Sequence, residues 1–462
     1  MRKIIKNEIF AFLALAVLLV ANMPAANAGY FKDVEASAAL LAEMDSGVVL
    51  YEYNKDQKHP ADALAKVMTL LLAVSACENG IVSPNRMIEM TESAYSDIDA
   101  LNTTQNIQPG EKMTMLNLMY CAYIGGADEA CNLLAEQISG SARTFVTSMN
   151  ARAKELGCQN TNFTNPHGRY NSNQYTTAMD QFIIYREALS HPLFVEISGT
   201  YRYETDATNM ADRRRMSNSN ELVNPNSKYY YRQCTSGAAS ATYEGGYSSV
   251  SFAEANDLSL ICVILGAEDL YLSDDSVDLR NLSEACRLFE LGFTQFSWRT
   301  ILSSTELIDK APVMHGAGAD FVNLHPESSI TRLLNNAIPD EAFKKTVKIY
   351  SVANGETLIA PIHAGDVLGE VTVTRDGEDY GTVLLVANTS IDLHRVQFIK
   401  MQISDMLSST IARRVIWVLV IFILLYLTLV IRYNVLRRKR LRKIAQAKRK
   451  LIDERKNQDQ DS

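Results

Sequence analysis

The sequence predicts a mixed α/β domain, then a small all-β module, then a single membrane-spanning helix near the C-terminus. Three observations predict it. Residues from about 36 to 293 alternate apolar runs of strand length with longer runs of helix length. From about Trp298 the texture changes to short β-rich runs parted by turn signals. Val415 to Ile431 is an apolar run without a charge, and a block of Arg and Lys follows it.

The elements follow in order. Ala38–Leu41 and Val48–Tyr53 flank Asp45-Ser46-Gly47, which signals a hairpin. Ala65–Cys77 reads as an apolar helix. Met115–Ile138 reads as a second, broken by Gly125-Gly126, and Phe145–Leu156 as a third. Leu258–Leu265 is a continuous apolar run of strand length, as a strand buried on both faces requires. Ser283–Phe293 closes the domain as a helix. In the β-rich module, Val347–Val352, Val367–Val373 and Gly381–Ala387 read as strands, with turns at Asn354-Gly355 and Asp376-Gly377. Residues 393–413 suit an amphipathic helix leading to the membrane. The resulting division is 29–293 for the α/β domain, 298–392 for the β module, 393–413 for the linker helix, 414–432 for the span and 433–462 for a basic tail.

The two ends set the location. Arg2, Lys3 and Lys6 precede an apolar run from Ile9 to Val20, and Ala26-Asn27-Ala28 supplies a small-x-small cleavage site. Residues 1–28 therefore read as a signal peptide. At the other end Arg437-Arg438-Lys439-Arg440, Arg442 and Lys443 follow the span, which places the tail in the cytoplasm and the bulk of the chain outside. The whole chain carries a net charge of −8, yet its tail from Arg432 holds 12 Lys/Arg against 4 Asp/Glu. The extracytoplasmic part is thus strongly acidic, which excludes a nucleic-acid partner, since such affinity comes from neutralising phosphates. The tail suits anionic lipid. The seven cysteines are odd in number and contain no C-x-x-C; several sit in apolar runs and read as core residues. Neither a metal nor a cofactor is expected.

Several segments carry a recognisable pattern. Pro60-Ala61-Asp62-Ala63-Leu64-Ala65-Lys66-Val67-Met68-Thr69 lies at the start of the first helix. Leu40 to Tyr51 forms the first hairpin. Glu155-Leu156-Gly157, Asn160-Thr161, Phe163, Asn165-Pro166-His167-Gly168, Tyr175-Thr176-Thr177-Ala178 and Asp180 follow downstream, and Ile359-Ala360-Pro361-Ile362, Gly365 and Gly369 lie in the β module. Together these resemble the serine-type D-alanyl-D-alanine carboxypeptidases, which are low-molecular-mass penicillin-binding proteins, across roughly residues 36–392. The resemblance implies the penicillin-binding/β-lactamase-like transpeptidase fold with a helical subdomain. It also implies work in peptidoglycan metabolism, with stem peptides or cell-wall proteins as partners.

At the catalytic positions the resemblance fails. The family writes its nucleophile segment Pro-Ala-Ser-x-x-Lys-x-Met-Thr, where the serine attacks the peptide carbonyl and the lysine, one turn on, takes its proton. With the lysine aligned on Lys66, the serine position falls on Ala63, and no S-x-x-K occurs anywhere in the chain. The family's Ser-x-Asn falls on Gly126-Ala127-Asp128. Ser148-Met149-Asn150 does match that pattern but lies inside a helical run. The Lys-Thr-Gly strand falls on Ala238-Ala239-Ser240 when anchored on Gly246 and Val250–Ala253, or on Thr235-Ser236-Gly237 when anchored on Gly237; neither supplies the lysine. Three losses in separate parts of the chain imply an inactive member with a vestigial Lys66, serving in binding or regulation. The alternative is an active carboxypeptidase trimming terminal D-Ala with an unrecognised nucleophile. Asp62 and Lys66, at i,i+4, suit a helix-surface ion pair. A carboxylate-based hydrolase built on Asp62, Asp128 and Glu129 is a further, weaker reading. His167 reads as part of a structural turn.

Overall fold

The computed structural model describes residues 34–268, 270–271, 277–408 and 410–458. The expected signal peptide, residues 1–28, lies outside them. The chain divides into two compact units: residues up to Arg299 together with Thr331–Asp340, and Thr300–Ile330 together with the chain from Glu341 onward.

The first unit is built on a five-stranded antiparallel sheet. Its strands are β1 (Ala38–Glu43), β2 (Val49–Tyr53), β3 (Cys234–Thr242), β4 (Gly246–Ala255) and β5 (Leu258–Ala267), in the order β2-β1-β5-β4-β3. Both faces are covered. Ala38, Leu40 and Ala42 of β1, with Ile261, Val263 and Leu265 of β5, pack into one core. Ala39 and Leu41, with Leu260, Cys262 and Ile264, pack into the other. Side chains alternate across a strand, so a strand apolar at every position must be buried on both faces, as Leu258–Ala267 is.

Helices cover one face. Helix α1 (Ala65–Glu78) is buried nearly all round and runs through the middle of the unit, flanked by α2 (Met115–Tyr123), α3 (Asp128–Ser139), α4 (Ala142–Leu156) and α5 (Ala178–Leu189). The long apolar run breaks at Gly125-Gly126, where the sequence placed the break. A Cβ on Gly125 would lie 2.4 Å from Met216 Sδ, and Gly126 has φ 65°, in the left-handed region that favours glycine. The other face is closed by α6 (Arg280–Gln295), which buries Leu282, Ala285, Leu288 and Phe289 at helical spacing. All seven cysteines are unpaired; four are buried, and burial pushes the Cys121 and Cys234 thiols up to about 12, so they behave as core residues.

The second unit holds a six-stranded sheet whose longest pair, Val367–Arg375 and Glu378–Ala387, is joined by the expected turn, with Asp376 at φ 52° and Gly377 at φ 88°. The strand expected over Val347–Val352 runs instead from Lys344 to Ile349 and gives way to a helical turn, Tyr350–Ala353, which Asn354-Gly355 ends. Arg395–Ser408 is a helix. The span and the tail, expected as separate pieces, form one helix, Thr410–Gln458. Among the described residues it is the one helix long and apolar enough to cross a membrane.

Candidate functional site

The candidate site lies in the first unit, where the start of α1 meets edge strand β3 and the start of α3. A short 3-10 turn, Asp62–Leu64, leads into α1. The motif from Pro60-Ala61 to Lys66 has one residue more than the family spacing. Asp62 absorbs it with φ 44°, a left-handed conformation that costs a residue with a Cβ roughly 1–2 kcal/mol. Asp62 does not reach Lys66, so the expected i,i+4 pair is not made. Its backbone belongs to the turn rather than the helix, and its buried carboxylate turns to β3, where Thr242 Oγ1 donates to Oδ2 at 2.8 Å. Burial is the main cause that raises the Asp62 carboxyl above its ordinary range; the Thr242 hydroxyl and His59 oppose this only in part.

Ala63 follows, half-buried, with a methyl group where a nucleophile would stand. Its backbone N–H donates to Ser240 Oγ at 3.2 Å. Of the three β3 residues expected in the groove, Ser240 is the one whose side chain meets Ala63. Ala239 N donates to Ser219 Oγ at 3.1 Å, and Ala238 is a buried core contact paired with Val250. In the other register, Ser236 is fully buried and its hydroxyl lies 3.0 Å from that of Tyr185.

Lys66, three residues beyond Ala63, is 8% exposed, and its Nζ lies 2.8 Å from Asp128 Oδ1. Oδ1 makes no aligned hydrogen bond, so the contact is a charge pair. Asp128 Oδ2 accepts from Asn102 Nδ2 at 2.8 Å and from Thr103 N at 3.2 Å. These two loop residues lie some 25 positions upstream, and no local sequence pattern marks them. Asp128 opens α3, where a negative side chain is favoured by the helix dipole. Gly126 forms the turn before it, and a Cβ there would lie 3.3 Å from Thr103 Cγ2. Glu129 is turned away into the loop: its Oε1 accepts from Thr104 Oγ1, Gln105 N and Ile107 N. The carboxylates therefore do not converge as a catalytic pair.

His167 belongs to a turn, as the sequence suggested, but a turn against the site. Asn165 Oδ1 accepts from Gly168 N at 2.7 Å, and Gly168 packs so closely on the Asp62 carbonyl that a Cβ would lie 2.0 Å from its oxygen. His167 Nδ1 accepts from Arg169 N at 3.2 Å and lies 3.9 Å from Asp128 Oδ2; Nε2 lies 3.9 Å from Asp97 Oδ2. The neighbouring His167 ring is the main cause that holds the Asp97 carboxyl below its usual range. Thr69 Oγ1 donates to Pro166 O at 2.5 Å and ties this turn to α1. Among the described residues no cluster of His, Cys, Asp and Glu could hold a metal.

A family model described as D-alanyl-D-alanine carboxypeptidase matches residues 22–269, and one for the C-terminal domain of penicillin-binding protein 5 matches residues 296–392. D-alanyl-D-alanine carboxypeptidase DacF of Bacillus subtilis (strain 168) is 27% identical over 345 residues, which cover 74% of this chain and 82% of that protein. DacC of Escherichia coli (strain K12), of the same description, is 27% identical over 359 residues, covering 75% and 81%. Two solved structures share the fold. Penicillin binding protein 5 from Haemophilus influenzae has a TM-score of 0.57 at 23% identity and covers 79% of this chain and 99% of that one. Penicillin binding protein 6B from Escherichia coli has a TM-score of 0.59 at 18% identity, with coverage of 79% and 99%.

Proposed function

The chain belongs to the D-alanyl-D-alanine carboxypeptidase family, and from that premise we propose that it is a membrane-anchored, extracytoplasmic member that does not hydrolyse peptides and acts in cell-wall metabolism by binding or regulation. One observation carries the reading: Ala63 stands at the head of α1, three residues before Lys66, where acyl transfer needs a hydroxyl. A methyl group has no lone pair with which to attack a carbonyl. The vestigial Lys66, together with the groove positions Gly126, Asp128, Ala238, Ala239 and Ser240, is what remains of the site. Its ligands are peptidoglycan stem peptides or cell-wall proteins.

In this reading residues 1–28 are removed on export, 29–293 and 298–392 fold outside the membrane, 414–432 span it, and the basic tail 433–462 faces the cytoplasm. The uncharged run within Thr410–Gln458 and the cationic block after it support that orientation. The active-enzyme alternative would rest on the hydroxyl of Ser240, 3.2 Å from Ala63 N. Among the described residues no basic side chain is hydrogen-bonded to it.

The test is covalent labelling of the purified full-length protein with a fluorescent penicillin, which traps a serine nucleophile as an acyl-enzyme, together with an assay of D-Ala release from a pentapeptide ending in D-Ala-D-Ala. Neither label nor D-Ala is expected. A label that survives denaturation and maps to one peptide would overturn the reading and identify the nucleophile; a map to Ser240 would establish the alternative.

A further inference from the structure

The site has lost more than its nucleophile. Lys66 is buried, and its one charged partner among the described residues is Asp128, 2.8 Å away. A lysine accepts a proton only through the free lone pair of its neutral amine; the ammonium ion has three donors and no acceptor. The family motif has asparagine where this chain has Asp128. Asparagine could offer Lys66 a dipole, whereas Asp128 offers a full negative charge in a place largely closed to water, where charge pairs are screened least.

Asp128 is also fixed in place. Oδ2 accepts from Asn102 and Thr103, its own N–H donates to Thr103 O at 2.8 Å, and it begins α3, whose dipole favours an anion. The carboxylate cannot swing away without releasing these contacts. We propose that Asp128 is a latch on Lys66, engaging its Nζ in a fixed, buried charge pair, so that the site is disabled twice and a hydroxyl restored at position 63 alone does not restore acylation. This inference rests on the reading of the chain as a nucleophile-free member of its family.

Asp128 is thus a positioning residue that acts through Lys66. In a restored site the hydroxyl oxygen at position 63 would bond to the β-lactam carbonyl carbon while the ring carbon–nitrogen bond breaks. The hydroxyl proton would pass to Lys66 Nζ and then to the departing nitrogen. With Nζ engaged by Asp128, the first transfer lacks a free acceptor.

The experiment compares four full-length proteins: unmodified, Ala63→Ser, Ala63→Ser with Asp128→Asn, and Ala63→Ser with Asp128→Glu. The readout is the rate of acylation by fluorescent penicillin, checked by intact mass. Asparagine keeps an oxygen for Asn102 and Thr103 but removes the charge; glutamate keeps the charge. A general base is worth about 10²–10⁴-fold in rate, so the asparagine double variant should acylate about a hundredfold faster than Ala63→Ser, and the glutamate variant should show no rescue. Equal rates for Ala63→Ser and the asparagine double variant overturn the latch. So does rescue by glutamate, which would point to a steric effect. Labelling of the unmodified protein would instead overturn the underlying reading, so the two failures are distinct.

A second measurement needs no restored serine. Asp128→Asn alone should increase modification of Lys66 by an amine-reactive ester several-fold, as read by peptide mass mapping against exposed lysines of the same chain. Unchanged modification of Lys66 in a protein that melts as the unmodified one does would also overturn the latch.

Discussion

Among the described residues of the first unit, the Arg214–Glu111 and Lys66–Asp128 ion pairs are both largely shielded from solvent, and they are built differently. Arg214 grips Glu111 with two parallel contacts, Nη1 to Oε1 at 2.6 Å and Nη2 to Oε2 at 2.8 Å. Arg214 Nε also donates to Gln105 O, and Thr208 Oγ1 donates to Glu111. Lys66 and Asp128 meet at one point, without an aligned hydrogen bond on Oδ1. The first pair has the fork geometry that makes arginine–carboxylate contacts strong and directional. The second joins a lysine that the family motif retains to an aspartate that it does not. In the reading proposed above, the difference separates residues that hold the fold from residues left over from chemistry. Both Glu111 carboxylate oxygens accept hydrogen bonds, whereas the groove positions carry methyl groups, a point charge pair and carboxylate oxygens without hydrogen bonds.

The largest effect expected from this comparison is at the arginine pair. Arg214→Ala leaves Glu111, 1% exposed, as an unpaired buried charge, and should cost about 3–5 kcal/mol. Thermal unfolding should show a fall of several degrees or more. Burial alone would raise the Glu111 carboxyl, but the hydrogen bonds from Arg214 and Thr208 and the arginine charge outweigh it, and the group sits below its ordinary 4.5. A carboxylate depressed in the folded state contributes stability above its unfolded value and loses it as pH falls through the folded one. The gap between the unmodified protein and Glu111→Gln should therefore be widest at neutral pH and narrow below pH 4.5. A constant gap would show that the pair holds by shape alone.

The groove pair should behave otherwise. Lys66→Met alone strands the Asp128 carboxylate and should destabilise by about 3 kcal/mol. Lys66→Met with Asp128→Asn removes both charges and keeps an acceptor for Asn102 and Thr103, so it should return to within about 1 kcal/mol of the unmodified protein. The matching double change, Arg214→Met with Glu111→Gln, abandons the hydrogen bonds to Gln105 O and Asn106 O as well and should recover less. If both doubles recover alike, the contrast between fold-holding and leftover charge fails.

Much of this architecture was legible in the sequence, for identifiable reasons. Leu258–Ala267 and Ala65–Glu78 are so uniformly apolar that burial and element type followed from length and flanks. Gly125-Gly126 marked a helix break because one glycine meets Met216 Sδ and the other has positive φ. At the site, Lys66 and Asp128 were visible as positions. The supporting contacts were not visible. Asn102 and Thr103 reach Asp128, and Ser219 reaches Ala239, across 20 or more residues of chain, and such pairings come from tertiary packing that no local period encodes. Asp62 was misread for a related reason. Its spacing to Lys66 fits a helix face, but the extra residue in the motif forces it into a left-handed turn before the helix begins.

Asp62 gives the smallest of the expected effects and the sharpest pH signature. Its Oδ2 is held by Thr242, its Oδ1 has no partner, and burial raises its carboxyl above 3.8. An acid raised in the folded state keeps its proton after the unfolded chain has lost it. Its contribution to stability therefore falls as pH rises from 3.8 through the folded value, and stays low above it. Asparagine cannot ionise, tolerates left-handed backbone and can still accept from Thr242. Asp62→Asn should accordingly stabilise the protein by about 1 kcal/mol at neutral pH, because a neutral amide costs less to bury than a carboxylate. The gain should fade as pH falls through the folded value towards 3.8, and below 3.8 the folded and the unfolded chain both hold the proton. Thermal unfolding of the two proteins across pH 4–8 reads this directly. A loss of stability at neutral pH would mean that the Asp62 charge supports the nucleophile turn, and would place Asp62 with Glu111 among the groups that hold the fold.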